Sequence, residues 1–183
     1  LKILYVRALR FSSAVIFLTN YASGMIQKVT GNIKNSKIIP HGVNNSFRNI
    51  SLQRPWPDDS SEEIKCVYVS SAAPYKHQWH VVRAIKLLRD QGLPVTLTLV
   101  GGGAGYSQKR LDREIELSDP MDTFVTQHSF IHIDRIPAFL SESDLFIFAS
   151  SCENMPVTLI EGMASGLPIA CSDRGPMPEV LGE

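Results

Sequence analysis

Two glutamates stand eight positions apart in the stretch Ser150-Ser151-Cys152-Glu153-Asn154-Met155-Pro156-Val157-Thr158-Leu159-Ile160-Glu161-Gly162-Met163-Ala164-Ser165-Gly166-Leu167-Pro168. Proline at the first helical position lacks only an N–H that would have no intrahelical partner, so Pro156 can open a helix between them. Gly166 suits a left-handed C-terminal cap, and Pro168 enforces the stop. Glu153 then lies in a strand-to-helix loop, and Glu161 sits roughly one and a half turns into the helix at ~3.6 residues per turn. The N–H groups of Val157, Thr158 and Leu159 would point back at that loop, and unpaired N–H groups at a helix start attract phosphate. Two carboxylates that accept sugar hydroxyls around an anion site suit a sugar nucleotide.

Two further loops carry chemistry. Ser71-Ala72-Ala73-Pro74-Tyr75-Lys76-His77-Gln78 follows a strand-like run, and Lys76 at the start of the next helix is the expected cation for a diphosphate. Gly101-Gly102-Gly103-Ala104-Gly105 follows another such run, but Tyr106 stands where Gly-x-Gly-x-x-Gly needs its last glycine. No clear acidic residue ends a next strand ~20 residues on, so the dinucleotide fingerprint is weak. His80, His128 and His132 lack metal-ligand spacing, and the chain contains no Asp-x-Asp. Glu142-Ser143-Asp144 reads as a capping cluster at a helix-to-strand turn. No metal site and no cofactor are expected.

The elements that must position these loops alternate. Strands are expected at 14–18, 37–40, 65–70, 95–100, 129–133, 145–148 and 168–172. Helices are expected at 21–30 (capped by Thr19 or Asn20), 77–91, 104–117, 137–141 and from Pro156. A polar connector is expected over 44–63. Strands separated by helices at this pitch predict α/β architecture, a parallel Rossmann-like sheet with helices on both faces. Val95–Val100 and Leu145–Phe148 are nearly continuous β-prone runs, as doubly covered strands are. In such sheets ligands bind beyond the carboxyl ends of the strands, where all three loops fall.

The segment from Ser150 to Pro168 resembles the signature of retaining glycosyltransferase family 4, also called glycosyltransferase group 1. Members read Glu-Gly-Phe-Gly at the first glutamate and Glu-Ala-Met-Ala-Cys-Gly-x-Pro-Val at the second. Here Asn154, Met155 and Pro156 replace Gly-Phe-Gly, and Gly162 replaces Ala. The family's Gly-Arg-Leu…Lys-Gly aligns with Ser70-Ser71 and Lys76-His77, so the phosphate-binding arginine is replaced by Ser71 and the glycine by His77. His41-Gly42-Val43 resembles the family's hinge. The resemblance implies half of a GT-B enzyme: residues 1–36 a remnant of an acceptor-side domain, residues 37–183 an incomplete donor domain. It implies retaining, metal-independent transfer of a hexose from a UDP- or GDP-sugar to a glycan or lipid-linked acceptor. Glu153 and Lys76 become the catalytic candidates, Glu153 near the reacting sugar carbon and Lys76 on the phosphates. Glu161 would bind ribose hydroxyls. Ser71, Gly101, Gly102, Gly103, Asn154, Met155, Pro156, Val157, Thr158 and Leu159 would complete the donor site, with the glycines admitting the nucleoside. The chain alone is expected to bind without turnover. A non-catalytic nucleotide-binding module, a sugar-nucleotide epimerase and a phosphorylase-like protein remain open alternatives.

Composition narrows the classes. The chain has 183 residues, 44% hydrophobic and 20% charged, enough for one good core. Eighteen basic and eighteen acidic side chains cancel, so no global field recruits nucleic acid. Cys66, Cys152 and Cys171 form no Cys-x-x-Cys pair, which suits a reducing compartment. No apolar run approaches the ~20 residues of a membrane span. The expected location is the cytoplasm, with any contact at the inner membrane face made through the acceptor-side domain.

Overall fold

Six-residue strands rich in β-branched and aromatic side chains form the centre of the main sheet. The computed structural model describes residues 2–48, 55–57 and 61–182, without the side chains of residues 2 and 3. Strand β3 (Ile64–Val69) pairs along its whole length with β4 (Val95–Val100), Ile64 opposite Val95 and Val69 opposite Val100. Strand β5 (Val125–His128) lies outside β4, and β6 (Leu145–Phe148) and β7 (Ile169–Cys171) lie on the other side of β3. All pairings are parallel and the order is β5-β4-β3-β6-β7. From β3 the chain therefore winds outward one way through β4 and β5, then returns to the other side with β6. That reversal between β3 and β6 opens a crevice at the carboxyl ends of the strands.

Helices connect the parallel strands. Helix α3 (Gln78–Asp90) buries Trp79, Val81, Val82 and Ile85, the three- and four-residue spacing of one helical face. Helix α4 (Gly105–Ser118) buries Leu111, α5 (Ile136–Ser141) buries Leu140, and α6 (Val157–Ala164) buries Leu159. Against them lie Val67, Tyr68, Leu99, Phe146 and Phe148, each fully buried and worth about 1.5–3 kcal/mol apiece in the usual transfer scale. The Arg83 guanidinium on α3 meets the buried Glu114 carboxylate on α4 through two contacts of 2.8 and 2.7 Å.

One strand differs from the sequence expectation. Residues 129–131 form a loop, not a strand, and β5 runs over Val125–His128 instead. Val125-Thr126-Gln127-His128 carries one apolar residue and Ser129-Phe130-Ile131-His132-Ile133 carries three, so apolar content points to the wrong stretch. Asp119 chooses: its buried carboxylate accepts the N–H groups of Thr123, Phe124 and Val125 at 2.7–2.8 Å. This pins Leu97 opposite Val125 and leaves Phe130 85% exposed beyond the strand. The expected connector over 44–63 lies partly outside the described residues. Its described part contains a single 3₁₀ turn at Asn45–Phe47, with Phe47 buried.

The described residues of 1–42, 152–157 and 173–183 form a second, smaller compact unit, and those of 43–151 and 158–172 form the unit around the sheet. In the smaller unit, α1 (Lys2–Phe11) precedes β1 (Val15–Phe17), α2 (Asn20–Thr30) and β2 (Ser36–Ile38), with β1 and β2 parallel. Its core is Val15, Phe17 and Ile33, with Leu9 and Ile38 packed against them. Thr19 caps α2 by accepting the Ala22 N–H at 3.1 Å. Glu179, on α7 (Met177–Leu181), accepts the N–H groups of Asn20 and Tyr21 at 2.6 and 2.8 Å, placing a carboxylate on the positive helix end.

Candidate functional site

At the carboxyl end of the sheet the loops after β3, β4 and β5 lie side by side. The Ser70 N–H donates to Val100 O at 2.9 Å, Ala72 N–H to Gly102 O at 3.3 Å, and Gly101 N–H to His128 O at 2.8 Å. Such close approach requires glycine. A Cβ on Gly101 would collide with the Ser70 carbonyl, and one on Gly102 would stand 2.9 Å from Ser129 O. Gly101 also has φ +113°, a conformation open essentially to glycine. These glycines thus first let the protein's own loops close up, and Gly103, 3.1 Å from the Ala72 methyl by the same measure, does likewise. The loops enclose a cleft of about 320 Å³ lined by Ser70, Ser71, Gly101, Gly102, Ser129, Phe130, Ile131, Ile136 and Thr158, with Val69 and Val100 at its floor. Among the described residues no charged side chain lines it.

Thr158 belongs to the first turn of α6, so the start of that helix meets the β3 and β4 loops at the cleft. The Leu159 side chain is in the core, leaving only its backbone N–H for a ligand. Gly166, with φ +77°, follows the end of α6, and Pro168 C=O accepts the Phe146 N–H at 2.9 Å as the chain enters β7. Glu161 is 7% exposed, and no described residue hydrogen-bonds its carboxylate. Burial pushes its carboxyl above the ordinary carboxylate range. Its oxygens are not among the fully buried side-chain atoms that lack a partner, so they keep solvent access, from which a ligand hydroxyl can donate to them.

Lys76 does not line the cleft. It is buried in the loop after β3, its ammonium 5.1 Å from the Phe148 ring centroid and 5.4 Å from that of Tyr75. Its carbonyl accepts the Tyr68 hydroxyl at 2.7 Å. His77 follows in the left-handed region at φ +54°, which costs a residue bearing a Cβ about 1–2 kcal/mol. That conformation accounts for the family's glycine at this place. The His77 ring reaches across the crevice, Nε2 lying 2.7 Å from Ser151 Oγ. Ser151 N–H and Ser150 Oγ–H donate to Tyr75 O at 2.9 and 3.2 Å.

The remaining candidates lie in the smaller unit. Glu153 is half-buried, Asn154 and Val157 are exposed, and Pro156 is buried. Asn154 O accepts the Thr19 hydroxyl at 3.2 Å, and the Met155 sulfur accepts the His41 N–H at 3.1 Å. The His41 backbone thus anchors the loop that carries Glu153.

Sequence reasoning passed over several residues at this end of the sheet. Gln78 is fully buried, its amide nitrogen donating to both Ser70 O and Ser70 Oγ at 3.0 Å. A polar side chain on the helical face otherwise built from Val81, Val82 and Ile85 was the available signal. Ser150, Ser151 and Tyr75 carried none, because their roles depend on loops distant in sequence. Glu142-Ser143-Asp144 behaves as a turn cluster: Ser143 Oγ–H donates to Phe139 O at 2.7 Å, and Asp144 accepts the Lys65 N–H at 2.7 Å. Burial, then the Asp144 charge, pushes the Cys66 thiol up to about 12, and burial pushes Cys171 to about 11, so both are poor nucleophiles. Among the described residues no group of three or more His, Cys, Asp or Glu side chains could hold a metal. No described helix is long and apolar enough to cross a membrane.

A five-stranded parallel sheet reversing between β3 and β6, with helices around it, defines the Rossmann-like half of a GT-B architecture. HepE of Anabaena in complex with UDP and glucose superposes on all of this chain and 50% of its own, with a TM-score of 0.79 at 21% identity. Sucrose-phosphate synthase of Thermosynechococcus elongatus covers 96% of this chain and 44% of its own, with a TM-score of 0.77 at 19% identity. Residues 53–183 match the family described as glycosyl transferases group 1, and the chain belongs to that family. The amylovoran biosynthesis glycosyltransferase AmsK of Erwinia amylovora is 30% identical over 130 residues, 68% of this chain and 31% of its own. The 2-deoxystreptamine glucosyltransferase of Streptomyces kanamyceticus is 29% identical over 118 residues, 63% of this chain and 29% of its own. The chain thus spans about 30% of the length of these two relatives.

Proposed function

We propose that this chain is the donor-binding part of a retaining glycosyltransferase that transfers a hexose from a UDP- or GDP-sugar, without a metal ion, to a glycan or lipid-linked acceptor in the cytoplasm. The observation that carries the reading is the cleft at the carboxyl end of the sheet, where the first turn of α6 meets the glycine loop and the same helix carries Glu161, a largely buried residue whose carboxyl pKa burial raises. Helix N–H groups and Lys76 stabilise the leaving diphosphate, as preorganised donors do in group transfer. Glu161 accepts ribose hydroxyls, and Glu153 addresses the sugar next to the reacting carbon. The relatives lend weight: AmsK is named for amylovoran biosynthesis, and HepE was solved with UDP and glucose. The direct test is thermal stabilisation of the chain by UDP, GDP, ADP and their sugars, since a ligand of the native state raises Tm by mass action. In the complete enzyme, retention of the anomeric configuration in the product tests the stereochemistry.

A second reading, a nucleotide-binding module without catalysis, rests on one feature. With Ser71 at the arginine position, the cleft has no charged lining residue among the described residues. Sugar transfer by the complete protein separates the two.

A further inference from the structure

Ser151 touches the residues on both sides of Lys76. Its N–H donates to Tyr75 O at 2.9 Å, and its hydroxyl lies 2.7 Å from His77 Nε2. Ser150 adds a bond to the same Tyr75 carbonyl at 3.2 Å. The loop leaving β3 is thereby tied to the loop leaving β6 across the reversal in strand order, with Lys76 in the middle of the tie. The Lys76 backbone is fixed from beneath by the Tyr68 hydroxyl, and its ammonium lies over the Phe148 ring at the end of β6. His77 holds its place despite a left-handed backbone in which glycine would be relaxed. Something other than backbone preference therefore retains the imidazole there: it lies beside the Trp79 and His80 rings, and its bond to Ser151 is the ring's one hydrogen bond among the described residues.

We propose that His77 and Ser151 form a bracket that fixes where Lys76 stands, in the loop whose Ser70 and Ser71 line the cleft, and so sets its reach to the donor diphosphate. This inference rests on the donor-site reading above. With serine at position 71, the diphosphate depends on one cation from this loop, so a small displacement of Lys76 costs more than it would beside a second charge. His77 is a positioning residue acting through Lys76, not a group that touches the ligand.

The test is calorimetric titration of the 183-residue chain with UDP and GDP, and with uridine and guanosine as controls, in the parent and in His77→Ala, His77→Gly, Ser151→Ala, Ser151→Thr and the double variant His77→Ala/Ser151→Ala. His77→Ala and Ser151→Ala should each weaken the diphosphate five- to tenfold and leave the nucleoside within twofold. The double variant should be no weaker than either single one, because both remove the same bond. Ser151→Thr keeps the hydroxyl and should bind as the parent does. His77→Gly relieves the backbone, so it should hold or raise Tm while losing the same five- to tenfold, which a purely structural role would not produce. Diphosphate binding unchanged in both alanine variants, or nucleoside binding lost in parallel, overturns the bracket and leaves the donor site standing. A parent chain that binds neither UDP nor GDP overturns the donor-site reading and the bracket with it.

Discussion

The Cα of Gly162 faces the ring of Phe146: a Cβ at position 162 would stand 2.8 Å from Cδ1 and 2.9 Å from Cγ. Phe146 is fully buried in β6 and cannot swing away. The family's alanine at this place is thus excluded here by the size of one neighbour. Gly162→Ala should destabilise the fold by about 1–3 kcal/mol through overpacking, despite alanine's better helix propensity. Phe146→Leu combined with Gly162→Ala should recover part of that loss. Urea unfolding of the two single variants and the double variant measures the coupling, and additive effects would refute the steric account.

Glu161 sets stability against binding. Because its folded-state pKa is raised by burial, its contribution to stability is fully present below the ordinary carboxylate value of ~4.3 and is lost as pH rises through the raised value. Glu161→Gln should therefore raise Tm at pH 7 and flatten its pH dependence above ~4.3, while weakening nucleoside binding. Scanning calorimetry across pH checks the first, and titration with uridine and guanosine the second.

Lys76 and Ser71 divide the phosphate chemistry. Lys76→Ala should weaken UDP or GDP relative to the nucleoside by about 1.5–3 kcal/mol, the range of a charge-assisted hydrogen bond. Ser71 is exposed and lines the cleft, so Ser71→Arg can be accommodated. It should tighten the diphosphate about tenfold at low salt and less at high salt. Equal effects on nucleoside and nucleotide would place the phosphates elsewhere.

Asp119 anchors β5. Burial alone would raise its carboxyl, but hydrogen bonds from the Phe124, Thr123 and Val125 N–H groups and the Thr123 hydroxyl outweigh it and hold the pKa below the ordinary value. Stability from Asp119 is accordingly present above the unfolded carboxylate pKa and lost as pH falls through the lowered one. Asp119→Ala should cost about 2–4 kcal/mol at pH 7 and less in acid. Denaturant midpoints at the two pH values decide it.

Donor affinity should be insensitive to chelator. The basis is the chain's lack of Asp-x-Asp and the absence of a convergent ligand group among the described residues. Titration of UDP-glucose in EDTA and in Mn²⁺ should give the same Kd within twofold, and a tenfold loss in EDTA would overturn the metal-free reading.

Much of the architecture was determined by local chemistry. Val95–Val100 and Leu145–Phe148 are strands because short β-prone runs between turn signals have no better conformation. Helix α6 starts after Pro156 and stops before Gly166 because proline and glycine punctuate the backbone regardless of context. The glutamate spacing and the family likeness were legible for the same reason: they lie within one continuous segment. Tertiary structure alone decided the rest. The more apolar stretch 129–133 was expected as the strand, and the carboxylate of Asp119 fixes the start of β5 at 125–128 through hydrogen bonds that apolar content does not encode. Gly162 and Phe146 lie sixteen residues apart, and only the packing of α6 on β6 makes the first depend on the second. The bond between His77 and Ser151 spans 74 positions. Nothing local announces it, because it exists only once the sheet reverses direction and brings the ends of β3 and β6 together.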